Sequence, residues 1–152
     1  MYRTILLPLD GSHRAEIILP HVQSLAEKYG AKVILLQVLS PPLFLDRDEV
    51  VETARIQQDR ESTRKQALAY LKGVEGRFGK TGETVKICIE AGSVVQAICD
   101  VAEKEKVDLL AMASHGWGGS QRTFYGSVAS GVINKAGQPL LLIRARNMSE
   151  TG

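Results

Sequence analysis

Five short, almost unbroken apolar runs alternate with stretches of helical periodicity, and no other feature restricts the fold of this chain as much. The runs are 4–9 (TILLPL), 31–39 (AKVILLQVL), 84–90 (TVKICIE), 107–113 (VDLLAMA) and 139–143 (PLLLI). Runs with no polar alternation are what strands buried on both faces require. The intervening segments repeat apolar residues every three or four positions, as an amphipathic helix does. Ala15, Ile18, Leu19, Val22, Leu25, Ala26 and Tyr29 form the first such face, ended by Gly30. A long charged helix from about Glu49 to Val74 carries Ala67, Leu71 and Val74, with Phe78 on the same face. Val94, Ile98, Val101 and Ala102 form the third face, behind a Gly92-Ser93 cap. Ala129, Val132, Ile133 and Ala136 form the fourth, expected to point inward and to stop at Gly137. Strands joined through helices of this length give a parallel sheet covered on both faces. Right-handed crossovers then gather strand C-termini and helix N-termini along one sheet edge, where ligands of open α/β folds sit.

Composition narrows the class further. A chain of 152 residues, 44% hydrophobic and 24% charged, fits one domain with a real core. Nineteen Lys and Arg against 17 Asp and Glu leave a net charge of +2, too small for a nucleic-acid or membrane surface. No apolar run reaches the length of a membrane span, and the opening MYRTILLPLDGS lacks a signal-peptide layout. A soluble, cytoplasmic protein is therefore expected, with residues 1–146 as the domain and 147–152 as a frayed tail. Cys88 and Cys99 form no CxxC pair and are expected as buried free thiols, not zinc ligands.

Three distant segments fall on the ligand edge: Asp10-Gly11-Ser12, the strand end Gln37–Leu39, and 109–128 (LLAMASHGWGGSQRTFYGSV). Gly116, Gly118, Gly119 and Gly126 let backbone approach a phosphate, and the helix start at Ser127 adds unpaired N–H groups and a positive dipole end. His115 and Arg122 could add positive charge. Asp10 can accept from a ribose hydroxyl or an adenine amino group, or it can cap the first helix through Ser12. The Val38 backbone can pair with an adenine edge. Trp117 reads as a stacking partner, a loop anchor or a subunit contact, and Ser127 as a phosphate donor or an N-cap. His13 and His21 read as surface residues. Leu43-Phe44-Leu45, after Pro41-Pro42, either covers the ligand or packs on a neighbouring surface.

Catalysis has less support. No Asp or Glu occurs between Ala111 and Lys135 to activate water or hold Mg²⁺. A Ser-His-Asp set from Ser114 or Ser127, His115 and Asp10 lacks the G-x-S-x-G elbow. Gly79-Lys80-Thr81 imitates the end of a P-loop, but Val74 stands where the first glycine belongs and a strand follows. DGSHRAE carries a single glycine, which excludes the Rossmann fingerprint, and a single acid at the strand end, where a receiver-type phosphoacceptor site needs two.

ILLPLDGS, VILLQVL and MASHG…GSV…PLLLIR together resemble the universal stress protein family over nearly the whole chain. Nucleotide-binding members carry G-x2-G-x9-G-[ST]. Here Gly116, the nine residues Trp117 to Tyr125 and Gly126-Ser127 match its later parts, and Ala113 stands at the first glycine. The resemblance implies a Rossmann-like, adenine nucleotide alpha hydrolase-like fold with strand order 3-2-1-4-5. It places Pro8 and Asp10 at the adenosine and the Val38 backbone at the adenine. Gly116, Gly119, Gly126, Ser127 and Val128 would border the phosphates, with Mg²⁺ or Mn²⁺ bridging. Ser12, Met112, Ala113, His115, Trp117 and Gly118 complete the expected nucleotide-binding set. It further implies a homodimer through the last strand, Leu140–Ile143. The function expected is an ATP-binding (or AMP- or ADP-binding) sensor or regulator in stress response, with little or no hydrolysis. Ala113 is expected to weaken the affinity. Two alternatives stand beside this one: an interaction module of the same fold that binds no nucleotide, and a slow ATP hydrolase.

Overall fold

The computed structural model describes residues 1–40, 51–79, 83–114 and 126–144; the side chains of 51–56 also lie outside the described set. Its elements run β1 (Thr4–Pro8), a 3-10 turn (Ala15–Ile18), α1 (Leu19–Tyr29), β2 (Lys32–Leu39), α2 (Val51–Glu75), β3 (Val85–Ala91), α3 (Val94–Lys104), β4 (Leu109–Ala113), α4 (Ser127–Lys135) and β5 (Leu140–Ile143). All pairings are parallel and the sheet order is β3-β2-β1-β4-β5. Fold class and strand order are those expected.

The strands read clearly in sequence because both their faces are buried. Along β2, Val33 and Leu35 join a core with Ile18, Leu19 and Val22 of the α1 side and Leu71 and Val74 of α2. Ile34 and Leu36 join a second core with Ile98 and Val101 of α3 and Ala129 and Val132 of α4. Side chains alternate across a strand, so each successive residue enters a different core. A side chain this size that is fully buried contributes about 1.5–3 kcal/mol. At the edge away from the crevice, Asp108 pins β4 to β1 by accepting from the Arg3 N–H at 2.8 Å and the Thr4 N–H at 3.1 Å.

The helices differ from expectation in detail. The segment from Ala15 starts as a 3-10 turn, and the α-helix begins only at Leu19, with Pro20 in its first turn. Proline has no N–H to give and suits the first helical turn, which makes it the local start signal. Gly30 ends α1 in the left-handed region (φ 61°, ψ 35°) that glycine enters without strain. In α2, residues 57–66 are exposed, and Ala67, Leu71 and Val74 carry the packing. In α4, Ala129 and Val132 are buried, but Ile133, expected inward, is 44% exposed. The helix packs on the core through Ala129 and Val132, with Val128 and Ala136 partly buried beside them, and Ile133 falls outside that face. A Cβ at Gly131 would stand 2.6 Å from Val95 Cγ2, so the glycine lets α4 close on α3. Ser93 occupies the N-cap position of α3 without a side-chain capping bond. Both cysteines are free, and half-buried where full burial was expected. Burial pushes both thiols up, which keeps them protonated and poorly reactive. Among the described residues no helix is long and apolar enough to cross a membrane.

Candidate functional site

The sheet order reverses between β1 and β4, and a cavity of about 390 Å³ opens there at the C-terminal ends of the strands. The register explains the opening. Even-numbered residues of β2 turn their backbone toward β1: the Lys32 N–H donates to Arg3, and the Leu36 C=O accepts from the Leu9 N–H at 2.8 Å. Odd-numbered residues face β3, as when the Leu39 C=O accepts from Gly92. β1 ends at Pro8, opposite Leu36 and three residues short of the end of β2 by this pairing. The N–H and C=O of Val38 therefore turn toward a side that β1 has left, beside the cavity that Val38 lines.

Asp10 lies where β1 departs. Gly11 takes φ +86°, a turn glycine makes freely, and brings Ser12 back onto the carboxylate. The Ser12 N–H and Oγ–H both donate to Asp10 Oδ1, at 2.9 and 2.6 Å, and Ser12 Oγ accepts from the Ala15 N–H at 3.2 Å. Ser12, buried, caps the 3-10 turn, and Asp10, exposed, borders the cavity. Tyr70 stands on the α2 side. Burial first, then the Glu16 and Asp10 carboxylates, pushes its hydroxyl well up, so it stays a neutral hydroxyl.

The opposite wall comes from β4 and α4. Ser114, buried, donates its N–H to the Ile143 C=O and accepts from the Gly126 N–H, each at 2.8 Å. This second bond joins the end of β4 to the start of α4. The N-cap is Gly126, and Ser127, proposed for that place in one reading, is the first helical residue, exposed, with no side-chain capping bond. The first helical bond runs from Ser130 N–H to Gly126 C=O, so the N–H groups of Ser127, Val128 and Ala129 have no intrahelical acceptor. Such groups, with the dipole behind them, suit an anion.

Of the expected binding residues, Pro8, Asp10, Val38, Met112, Ala113, Gly126, Ser127 and Val128 line this one cavity. Ser12 supports Asp10 without lining it. His115, Gly116, Trp117, Gly118 and Gly119 lie outside the described residues, as do Arg122, the 43–45 patch, Lys80-Thr81 and the 147–152 tail. Leu36, Gln37, Val94, Ile98 and Ser114 also line the cavity, although the motif did not single them out as ligand contacts. Ile98 and Leu36 read as plain core, whereas the polar Gln37, inside an apolar run, and Ser114, at a strand end, carried a signal. Ala113 has no positive φ, so the alanine sits unstrained at the end of β4. Leu109 and Ala111 belong to the α1-side core, and Leu110 and Met112 to the other. Alternation thus puts the Ala113 methyl on the α1 side, where Ala15 also borders the cavity.

A doubly wound parallel sheet with a crevice at its switch point defines the class of open α/β folds. The universal stress protein family model matches residues 1–144, and the chain belongs to the universal stress protein family. It is 30% identical to universal stress protein MJ0577 of Methanocaldococcus jannaschii, covering 97% of this chain and 98% of that protein. The solved structure of MJ0577 superposes with a TM-score of 0.85 over 97% of this chain and 99% of that one. A family protein of Arabidopsis thaliana with AMP bound shares the fold at 16% identity, TM-score 0.68, over 99% of this chain and 95% of that one. So does a universal stress protein of Archaeoglobus fulgidus in complex with dAMP, at 21% identity and TM-score 0.62, covering 93% and 98% of the two chains.

Proposed function

We propose that this protein binds an adenine nucleotide in the crevice between β1 and β4 and acts as a dimeric cytoplasmic sensor or regulator in stress response. The observation that carries this reading is the convergence at one cavity of the Val38 backbone, the Asp10 carboxylate and the α4 N-terminus. Val38 offers a donor and an acceptor to the adenine edge, Asp10 an acceptor to a ribose hydroxyl, and Gly126-Ser127 the phosphate end. Leu36, Ile98 and Met112 supply the apolar wall that a base needs. The AMP and dAMP held by two proteins of this fold support the same ligand class.

ATP is the nucleotide we favour, with AMP and ADP taking the same adenosine contacts. Among the described residues no three His, Cys, Asp or Glu side chains gather to hold a metal. A Mg²⁺ or Mn²⁺ ion is then proposed as cargo of the phosphates, neutralising their charge, with Asp10 the one carboxylate on the cavity wall among the described residues. With no Asp or Glu between Ala111 and Lys135 to activate water, slow or absent hydrolysis is the reading we favour. A specific observation favours a second reading: alanine at position 113, where nucleotide-binding members carry glycine, suits an interaction module without nucleotide.

Titration with Mg²⁺ and ATP separates the two. The nucleotide reading expects a change in fluorescence of Trp117, the single tryptophan. It also expects a rise in melting temperature, equivalent to about 2.7 kcal/mol at 100 times Kd. Flat responses in both would leave the interaction module.

A further inference from the structure

Among the described residues, two side-chain atoms are buried without a hydrogen-bond partner within the chain: Gln37 Oε1 and Tyr70 Oη. A polar atom shut away unpaired is costly, and native structures keep few of them. The two lie on one side of the sheet. Val33 and Leu35 pack into the α1–α2 core and Val38 into the other, so alternation turns Gln37 toward α1 and α2. Ile89, opposite Gln37 in the β2–β3 register, packs into that same core, and so does Tyr70, reaching in from α2. They also lie at one end of the sheet. The bond from the Leu9 N–H to the Leu36 C=O sets the Asp10 turn beside the end of β2, where Gln37 lies. Burial, then the Glu16 and Asp10 carboxylates, pushes the Tyr70 hydroxyl up, which brings it to the same neighbourhood. Yet neither acid takes that hydroxyl. Arg77 at 2.8 Å and His13 at 3.3 Å engage Glu16, and the two Ser12 donors engage Asp10 Oδ1.

We propose that a buried water molecule binds between the Tyr70 hydroxyl and the Gln37 carboxamide and ties α2 to the crevice wall. Water donates one hydrogen to Gln37 Oε1 and accepts the Tyr70 O–H, so one molecule satisfies both atoms. It can meet either end of the amide, because it donates and accepts alike. Its second hydrogen faces the acidic side, toward Asp10 and Glu16, and completes about three bonds, the usual number for a buried water. Gln37 lines the crevice and Tyr70 does not, so the water extends the support of that wall to a helix outside it. The site belongs to the folded chain itself and needs no nucleotide.

A high-resolution crystal structure of the ligand-free protein tests this directly. One ordered water within about 3.2 Å of both Tyr70 Oη and a Gln37 side-chain polar atom is the expected result. A direct Tyr70–Gln37 bond, a carboxylate on the Tyr70 hydroxyl in place of water, or no ordered water at the site overturns it. Thermal melting gives a second readout whose sign decides. Tyr70→Phe removes only the hydroxyl: a hydroxyl bonded to water predicts a fall of about 2–4 °C, whereas an unpaired one predicts no fall or a rise. Gln37→Met should also melt lower. The double variant should then fall by less than the sum of the two, because both lose the same water. Additive losses, or Tyr70→Phe melting at or above the wild-type temperature, overturn the shared water.

Discussion

Ala113 is the residue on which the affinity of the proposed nucleotide site is expected to turn. Its backbone is ordinary, so the alanine costs nothing in strain, yet its methyl occupies the crevice wall where a glycine would let ligand approach. Ala113→Gly should lower the Kd for ATP about three- to tenfold, at a stability cost of about 0.5–1 kcal/mol from the freer glycine backbone. Calorimetry and thermal melting measure the two effects separately. An unchanged Kd would mean that the methyl faces only Ala15. Much of the site was legible at this scale. The DGS turn announced itself through Gly11, whose positive φ few other residues adopt, and the GS pair through its nine-residue spacing from Gly116. Gln37 was harder to read, since one amide in a strand reads as tolerance until its unpaired oxygen is seen. Ile98 and Val94 could not be told from core, because a base wall and a helix core ask for the same side chains.

At the scale of elements, the two edge strands differ in kind. β3 carries Lys86 and Glu90, with Lys86 paired to Glu105, and charges on an edge discourage another strand from docking. β5 is Leu140-Leu141-Leu142-Ile143, half-buried throughout and without a charge. An apolar edge with no further strand beside it among the described residues fits the proposed homodimer, in which a second β5 continues the sheet. Leu141→Lys should convert a dimer into a monomer at micromolar concentration, measured by sedimentation equilibrium. A wild-type monomer, or a variant that stays dimeric, would place any interface elsewhere. Elements were the most legible level of this chain, since burial on both faces writes each strand as an apolar run. What periodicity could not supply was the 3-10 start at Ala15 and the outward turn of Ile133. Three- and four-residue spacing serves both helix types, and it does not say how wide a stripe the core will cover.

In the whole molecule, right-handed crossovers bring Asp10, Val38 and Gly126 to one edge from positions that together span more than a hundred residues of chain. The sheet holds these groups without needing a ligand, as shown by the Leu9–Leu36, Ser114–Ile143 and Gly126–Ser114 backbone bonds that frame the crevice. The proposed function therefore rests on a preformed cavity, with Gly126 at the end proposed for the phosphates. That glycine has φ −69° and ψ 168°, a conformation open to any residue, so a larger side chain there fills the crevice without straining the backbone. Calorimetric titration of ATP with Mg²⁺ into wild type and Gly126→Leu is the most direct test. Saturable binding at one site per chain in the wild type, abolished in a variant that still melts cooperatively as a folded protein, is the expected result. Equal affinity in the variant, or no binding by the wild type, would contradict a nucleotide in this crevice.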